Sequence, residues 1–383
     1  MTGLLTEEQG MIRDMARQFA RDRLAPGAAA REAAGVIDPG IIDEMAGLGF
    51  LGMTVPEETG GVGADYTSYA LALIEIAAAD GAVSTMMSVH NAPFCAILQR
   101  FATPAQQEKW LKPAARGEFI GCFALTEPGT GTDAAAITSR ARRTNHGYVL
   151  DGAKQFITSA RIGGATIVFA VTDPEAGKKG LSAFYVPQDT PGLTVGAPEH
   201  KLGQKASDTC ALGFEDMKLD HGALIGEEGQ GLAIALSSLE AGRIGIASQS
   251  VGMAQAALEL AVTYALERTA FGKPIFEHQA VAFRLADMDA RIEAARQLVL
   301  HAAALKDAGR PCLREASIAK LTASEMAEGV VSDAIQTLGG YGYLAEFPLE
   351  RIYRDVRVCQ IYEGTSDVQR INISRDLKRR FQQ

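Results

Sequence analysis

A carboxylate with the setting of a base stands near the C-terminus, in the run Tyr362-Glu363-Gly364-Thr365-Ser366-Asp367-Val368-Gln369. Ser366 and Gln369 have the spacing of a capping box, so a helix is expected to open there. Glu363 then lies in the loop just before a helix N-terminus, where unpaired backbone N–H groups face outward. Such a carboxylate could take a proton from the carbon next to a carbonyl while nearby amides hold the enolate-like oxygen that develops. The commoner role of a lone glutamate at this place is to favour the helix start electrostatically. The motif alone leaves both roles open.

Two more segments could hold a ligand. Phe123-Ala124-Leu125-Thr126-Glu127-Pro128-Gly129-Thr130-Gly131-Thr132-Asp133 follows a strand-like run. Its glycines let a backbone approach a ligand closely, and its threonines add hydroxyls to the amide donors. A plain turn would use the same residue types. Gly129-x-Gly131-x-x-Ala134 also fits a dinucleotide fingerprint, but that reading needs a strand, a long helix and a parallel strand. Here residues 135–143 lead into an Asn145-His146-Gly147 turn and another strand, which counts against a nicotinamide site. In Lys154-Gln155-Phe156-Ile157-Thr158, strand alternation puts an aromatic and a hydroxyl on one face. That pair suits stacking and hydrogen bonding to a flat ring system such as an isoalloxazine, although most aromatic strand positions are core.

The elements that must carry these residues fall into three regions. Residues 1–119 read as helical. Thr6 and Gln9 form a capping-box pair, Asp38-Pro39 repeats the helix-start pattern, and an apolar helix is expected from Tyr69 to Ala79. Residues 120–227 change to short β-like runs at 120–125, 148–150, 166–172 and 182–186, with turns at 145–147 and at Asp151-Gly152. This predicts an antiparallel sheet or barrel. Residues 228–383 return to long helices, near 232–266, 277–305 and 314–338, joined by short loops as in a four-helix bundle. The fold class is therefore α+β in three domains, helical, β and helical bundle.

Composition bounds the function. The 383 residues carry a formal net charge of −9 and are 47% hydrophobic, which suits a globular chain and counts against a nucleic-acid partner. Cys95, Cys122, Cys210, Cys312 and Cys359 are scattered, with no C-x-x-C and no zinc spacing, so buried thiols in a reducing compartment are expected. Residues 1–9 lack the character of a signal or transit peptide, and no apolar run is long enough to span a bilayer. A cytoplasmic location, if the source is bacterial, is the expectation.

Taken together and in order, these segments resemble the acyl-CoA dehydrogenase family over essentially the whole chain. The likeness extends through residues 122–133, Gly242-Arg243-Ile244-Gly245-Ile246-Ala247, Arg268-Thr269-Ala270-Phe271-Gly272-Lys273-Pro274, Gln336-Thr337-Leu338-Gly339-Gly340 and 361–370. It is strongest to the short-chain branch, and Gly340-Tyr341-Gly342-Tyr343-Leu344 is similar to enzymes for short branched acyl groups. The resemblance implies FAD as cofactor, Glu363 as the base, and an electron-transferring flavoprotein as the acceptor of electrons. It implies that Phe123, Leu125, Thr126, Gly131 and Thr132 hold the flavin, and that Phe156, Ile157 and Thr158 flank its ring. Arg268, Phe271, Gln279, Gln336, Gly339 and Gly340 would reach the FAD of a neighbouring subunit in a homotetramer. Thr365 and Asp367 would touch the cofactor beside the base, while Thr132, Glu240, Arg243 and Gly364 would contact substrate. The family often has Trp at the position of Phe156 and Asp at that of Glu240. Some branches carry the base just before the arginine matched by Arg243; here that residue is Gly242, which leaves Glu363.

The implied reaction is α,β-dehydrogenation of a short-chain, or short methyl-branched, acyl-CoA to a trans-2-enoyl-CoA. Burial would raise the pKa of the base, amide and ribityl donors would hold the thioester oxygen, and the flavin would take the β-hydrogen as hydride. The alternatives are an acyl-CoA oxidase on the same scaffold, and a non-catalytic acyl-CoA-binding relative.

Overall fold

The computed structural model describes residues 5–382. The N-terminal part holds α1 (Glu7–Phe19), α2 (Ala28–Ala34), α3 (Pro39–Gly47), α4 (Tyr66–Ala79), α5 (Gly81–Val89), α6 (Ala96–Phe101) and the short turns α7 (Pro104–Gln106) and α8 (Lys112–Ala115). Both halves of the Thr6/Gln9 capping box form. Asp38 caps α3 with Pro39 at its first position. Helix α4 begins three residues earlier than the apolar pattern suggested, because Asp65 caps it by accepting from Ser68 N. Its stretch from Thr67 to Ala77 is buried on all sides, since α4 is sandwiched between helical layers.

The middle part contains β1 (Ile120–Ala124), β2 (Arg140–Thr144), β3 (Gly147–Thr158), β4 (Gly163–Val171), β5 (Leu181–Pro187), β6 (Leu193–Pro198), β7 (Thr209–Leu219) and β8 (Leu224–Ile225). They form an eight-stranded sheet in the order β6-β7-β3-β2-β4-β5-β8, with β1 alongside β4. The sheet is antiparallel except where β4 runs parallel to β1 and touches β2. No long helix follows β1; the chain passes through a single 3₁₀ turn at Ala134–Ala136 into the β2–β3 hairpin, and this removes the Rossmann parsing.

Two local expectations need correction. Asp151-Gly152 is not a turn but part of β3, where Gly152 at φ 143° takes up a register shift against β7. Strand alternation also fails between Lys154 and Ile157, where a second shift leaves Phe156 at φ 59° and 63% exposed. A bulge of this kind re-aims one side chain.

The C-terminal part continues with α9 (Gly231–Glu267), a two-residue hairpin of β9 (Thr269–Ala270) and β10 (Lys273–Pro274), then α10 (Gln279–Asp307), α11 (Leu313–Leu338), α12 (Leu349–Val356) and α13 (Ser366–Phe381). Helix α9 is the spine. One apolar cluster joins Ala254 and Ala257 of α9 to Leu285 and Ile292 of α10, Ala323 and Val330 of α11, and Ile74 of α4. A second cluster joins the helical and β parts, with Trp110 stacked on Tyr185 of β5 at 4.1 Å between ring centroids. All five cysteines are buried and unpaired, as expected. Among the described residues, no helix is long and apolar enough to cross a membrane.

The contact of α9 with α4 depends on Gly252, where an added Cβ would lie 2.1 Å from Ile74 O. Gly252→Ala is therefore expected to destabilise the protein by about 1–3 kcal/mol despite the higher helix propensity of alanine. Equilibrium denaturation of the two proteins checks this.

Candidate active site

Thr365, not Ser366, is the N-cap of α13, its hydroxyl accepting from Val368 N at 3.4 Å. The capping box expected from Ser366 to Gln369 does not form, and Gln369 turns back instead. Its Nε2 donates to Gly364 O at 2.8 Å and to Glu363 O at 3.4 Å. Glu363 and Gly364 both occupy the left-handed region, at φ 54° and 87°. Two such residues in succession reverse the chain, and for glutamate the conformation carries strain.

This turn brings the Glu363 carboxylate against α9. A Cβ added at Gly242 would lie 2.4 Å from its Oε2. The residue as a whole is half-buried, but Oε2 is closed off from solvent and has no hydrogen-bond partner. Burial pushes the carboxyl up to about 7, against the opposing charges of Arg243 and, less strongly, Lys320. Gly242, which the sequence marked only as lacking a carboxylate, is thus the space into which Glu363 fits.

Arg243 is buried, and its Nε and Nη1 have no partner. Burial lowers its pKa, while the charges of Glu363 and then Glu240 raise it. Glu240 itself is engaged by Lys306 at 3.3 Å. Lys306 also lines a groove of about 340 Å³ with Arg100, Ser237 and Ser238.

Beyond the carboxylate along α9, the face carrying Gly242, Gly245 and Gln249 meets polar side chains. A Cβ at Gly245 would lie 2.5 Å from Ser88 Oγ and 3.1 Å from the Tyr69 hydroxyl. Gln249 Nε2 donates to Thr85 Oγ1 at 2.6 Å and to Ser84 Oγ at 2.7 Å, and its Oε1 accepts from the Tyr362 hydroxyl. Gln204 Nε2 donates to the same hydroxyl at 3.3 Å, and Gln204 N donates to Asp355. Nothing in the sequence announces this network, because the pattern of a helix does not reveal which polar residues face one another.

The flavin-type segments also meet. Gln155 N donates to Thr126 O at 2.9 Å, joining the loop after β1 to β3. Below them Lys154, with no exposed surface, donates to Glu127 at 2.8 Å and to Leu125 O at 3.1 Å. Glu127 accepts in addition from Thr138 and Ser139. Burial works against its charge, but Lys154 and these donors hold its carboxyl down at about 2. The loop so fixed leaves Thr132 exposed and open space above Gly129, while Phe123 and Thr126 are half-buried, Leu125 and Ile157 buried and Thr158 half-buried. An open glycine-threonine cradle beside an exposed aromatic fits a flat, phosphate-bearing cofactor.

A further group lies apart on the exposed end of the bundle. Phe271 and Gly272, at φ 53° and 79°, turn the β9–β10 hairpin and leave Phe271 97% exposed. Arg268, Gly339 and Gly340 line one cleft there; Gln279 and Gln336 are exposed nearby in sequence, and Asp367 is exposed on α13. A separate cleft of about 510 Å³, walled by Arg17, Glu75, Gln255 and Phe347, contains none of the candidate residues.

Comparison with known proteins decides the family. The acyl-CoA dehydrogenase N-terminal, middle and C-terminal domain models match residues 6–118, 122–217 and 229–378. The chain belongs to the acyl-CoA dehydrogenase family. It is 46% identical to the mitochondrial short-chain specific acyl-CoA dehydrogenase of Mus musculus over 98% of this chain and 92% of that one. Butyryl-CoA dehydrogenase from Megasphaera elsdenii superposes with a TM-score of 0.96 at 41% identity, covering 98% of this chain and all (100%) of the other. A chain from structural work on the electron transferring flavoprotein of Acidaminococcus fermentans gives a TM-score of 0.97 at 44% identity, covering 98% and 99%. As an acyl-CoA dehydrogenase, the protein is an FAD-dependent oxidoreductase acting on CH–CH bonds.

Because Gly242 makes room for the carboxylate, Gly242→Ala is expected to retain fold and FAD but slow flavin reduction by about 10²-fold, the effect of displacing a reacting group by about 1 Å. Anaerobic stopped-flow absorbance against the unmodified enzyme measures this.

Proposed function

We propose that this acyl-CoA dehydrogenase converts short-chain acyl-CoA thioesters to trans-2-enoyl-CoA with Glu363 as the base that takes the α-proton. The observation that carries this reading is the solvent-shielded Oε2 of Glu363, seated at Gly242 with its pKa raised to about 7. A carboxylate so raised is a stronger base than a solvated one, yet it can still ionise near neutral pH.

Bound FAD supplies the acceptor for the β-hydrogen. The residues proposed to hold it are Phe123, Leu125, Thr126, Gly131, Thr132, Phe156, Ile157 and Thr158, with Thr365 and Asp367 beside the base. The Glu127–Lys154 pair supports the assignment, because it locks the two segments in one arrangement.

The polar wall of Tyr69, Thr85, Gln249 and Tyr362 supports a short acyl group. These groups are buried or half-buried and already bonded within the wall, so a long aliphatic chain extending past Glu363 along α9 would have to break those hydrogen bonds without replacing them. For the other end of the substrate, Arg100 and Lys306, the latter also paired with Glu240, line the groove together with the hydroxyls of Ser237 and Ser238. That suits the phosphates of CoA in a chain whose net charge is −9. Arg243 and Gly364 are proposed to border the thioester.

The likeness to a chain studied with an electron transferring flavoprotein supports such a flavoprotein as the acceptor of electrons. The exposed Phe271, Phe283 and Tyr343, at 97%, 63% and 84%, support coverage by further copies in a homotetramer, where Arg268, Gln279, Gln336, Gly339 and Gly340 would complete a neighbour's cofactor site.

Two outcomes are expected. Glu363→Gln should keep FAD and bind butyryl-CoA, yet reduce its flavin about 10²–10⁴-fold more slowly; a rate like that of the unmodified enzyme removes Glu363 as the base. In the unmodified enzyme, kcat/KM should rise with pH and level off above about 7, as the carboxyl loses its proton.

A further inference from the structure

Lys320 lies in α11 with no exposed surface. Four residues before it is Ala316 and three after it Ala323, both fully buried, so the helix turns this lysine toward the core. A buried ammonium is costly unless hydrogen bonds and opposite charge hold it. Its Nζ donates to Gly364 O at 2.8 Å. Gln369 Nε2, from α13, donates to the same oxygen at 2.8 Å. One carbonyl is therefore held from two helices, at the end of the left-handed pair Glu363-Gly364. A glutamate in that conformation costs about 1–2 kcal/mol, so the turn depends on fixed contacts to persist.

On the reading that Glu363 is the base, we infer that Lys320 is its positioning residue: the ammonium pins the Gly364 carbonyl, which seats the Glu363 carboxylate at Gly242, and its charge opposes the burial of that carboxylate.

The groups that face this pair come from four sides. Arg243 of α9 exerts the larger cationic effect on Glu363, and Lys320 the smaller. Tyr69 of α4 senses Glu363, and Glu240 acts on Arg243. Cys359, in the segment before the turn, and Glu325, on α11, act on Lys320 itself. Tyr362 lies next to Glu363 and is tied up with Gln249. Arg243 supplies charge, but its Nε and Nη1 bond to nothing, so it does not fix the turn. Lys320 does both. Burial draws its ammonium down to about 8, which leaves it mainly protonated at neutral pH.

The test compares pH profiles of kcat/KM for butyryl-CoA in FAD-loaded holoenzymes. Lys320→Met should move the midpoint of the rising limb up by about one unit, the lower end of the effect of a nearby opposite charge. Below both midpoints, that shift is a rate loss of about tenfold. Gln369→Leu removes the other donor and no charge, so its rate should fall while the midpoint stays. Lys320→Arg keeps the cation and should stay near the original midpoint. If Lys320→Met does not yield folded holoenzyme, Lys320→Gln against Lys320→Arg decides in its place, a shift in the first alone supporting the inference. An unmoved midpoint in the charge-removing variant overturns it, as does an equal shift in Gln369→Leu. Glu363→Gln is measured in parallel. Full activity there sinks the base assignment, whereas an inactive Glu363→Gln beside an unshifted Lys320→Met sinks only the role of Lys320.

Discussion

The packing of the Glu363 turn onto helix α9 at Gly242 governs the arrangement around it. A carboxylate can approach a helix backbone this closely only where no side chain intervenes, and it is kept from water only if the turn does not relax outward. Left-handed backbone at Glu363 and Gly364, the Thr365 cap and the grip of Gln369 and Lys320 on one carbonyl all serve that approach. Helix α9 must in turn be buried at this point, and its apolar contacts with α4, α10 and α11 hold it there.

The electrostatic balance follows from the same geometry. Burial alone would suppress ionisation of Glu363, and two neighbouring cations limit how far it goes. Neither cation hydrogen-bonds to the carboxylate, and Oε2 has no partner at all. This matters chemically. A carboxylate locked in a hydrogen-bonded ion pair would be a weak base, whereas one that feels charge at a distance stays ionisable and free to accept a proton. The flavin-type loop shows the contrasting design. Glu127 is paired directly with Lys154 and accepts three further hydrogen bonds, which suits a purely architectural group.

Much of this could be read from the sequence, and the limits have physical causes. Helix starts at Thr6 and Asp38, the change from helical to β periodicity, and the long C-terminal helices depend on local pattern, which sequence displays directly. Glu363 and the glycine-threonine loop each have the residue types of an ordinary helix start or turn, and stood out only through their order with the other motifs along the chain. The mistakes came where tertiary contacts override local rules. Ser366 had the spacing of a cap, but Gln369 found better acceptors in the turn, so the cap moved to Thr365. Phe156 broke strand alternation because of a register shift set by β7, a strand more than fifty residues away. Lys320 belongs to no motif and draws no notice in the sequence, although its place among Ala316, Ala319 and Ala323 was a legible sign of burial.

The chain has one tryptophan, and its ring lies flat on Tyr185 where the helical N-terminal part meets the β-sheet. All indole emission therefore originates at that seam. Any event that parts the two modules, whether heat, denaturant or a mutation in the flavin loop, would alter the surroundings of this single fluorophore before the C-terminal helices need to melt. The protein thus carries a built-in optical gauge of module docking, spectrally separate from the visible absorption of its flavin.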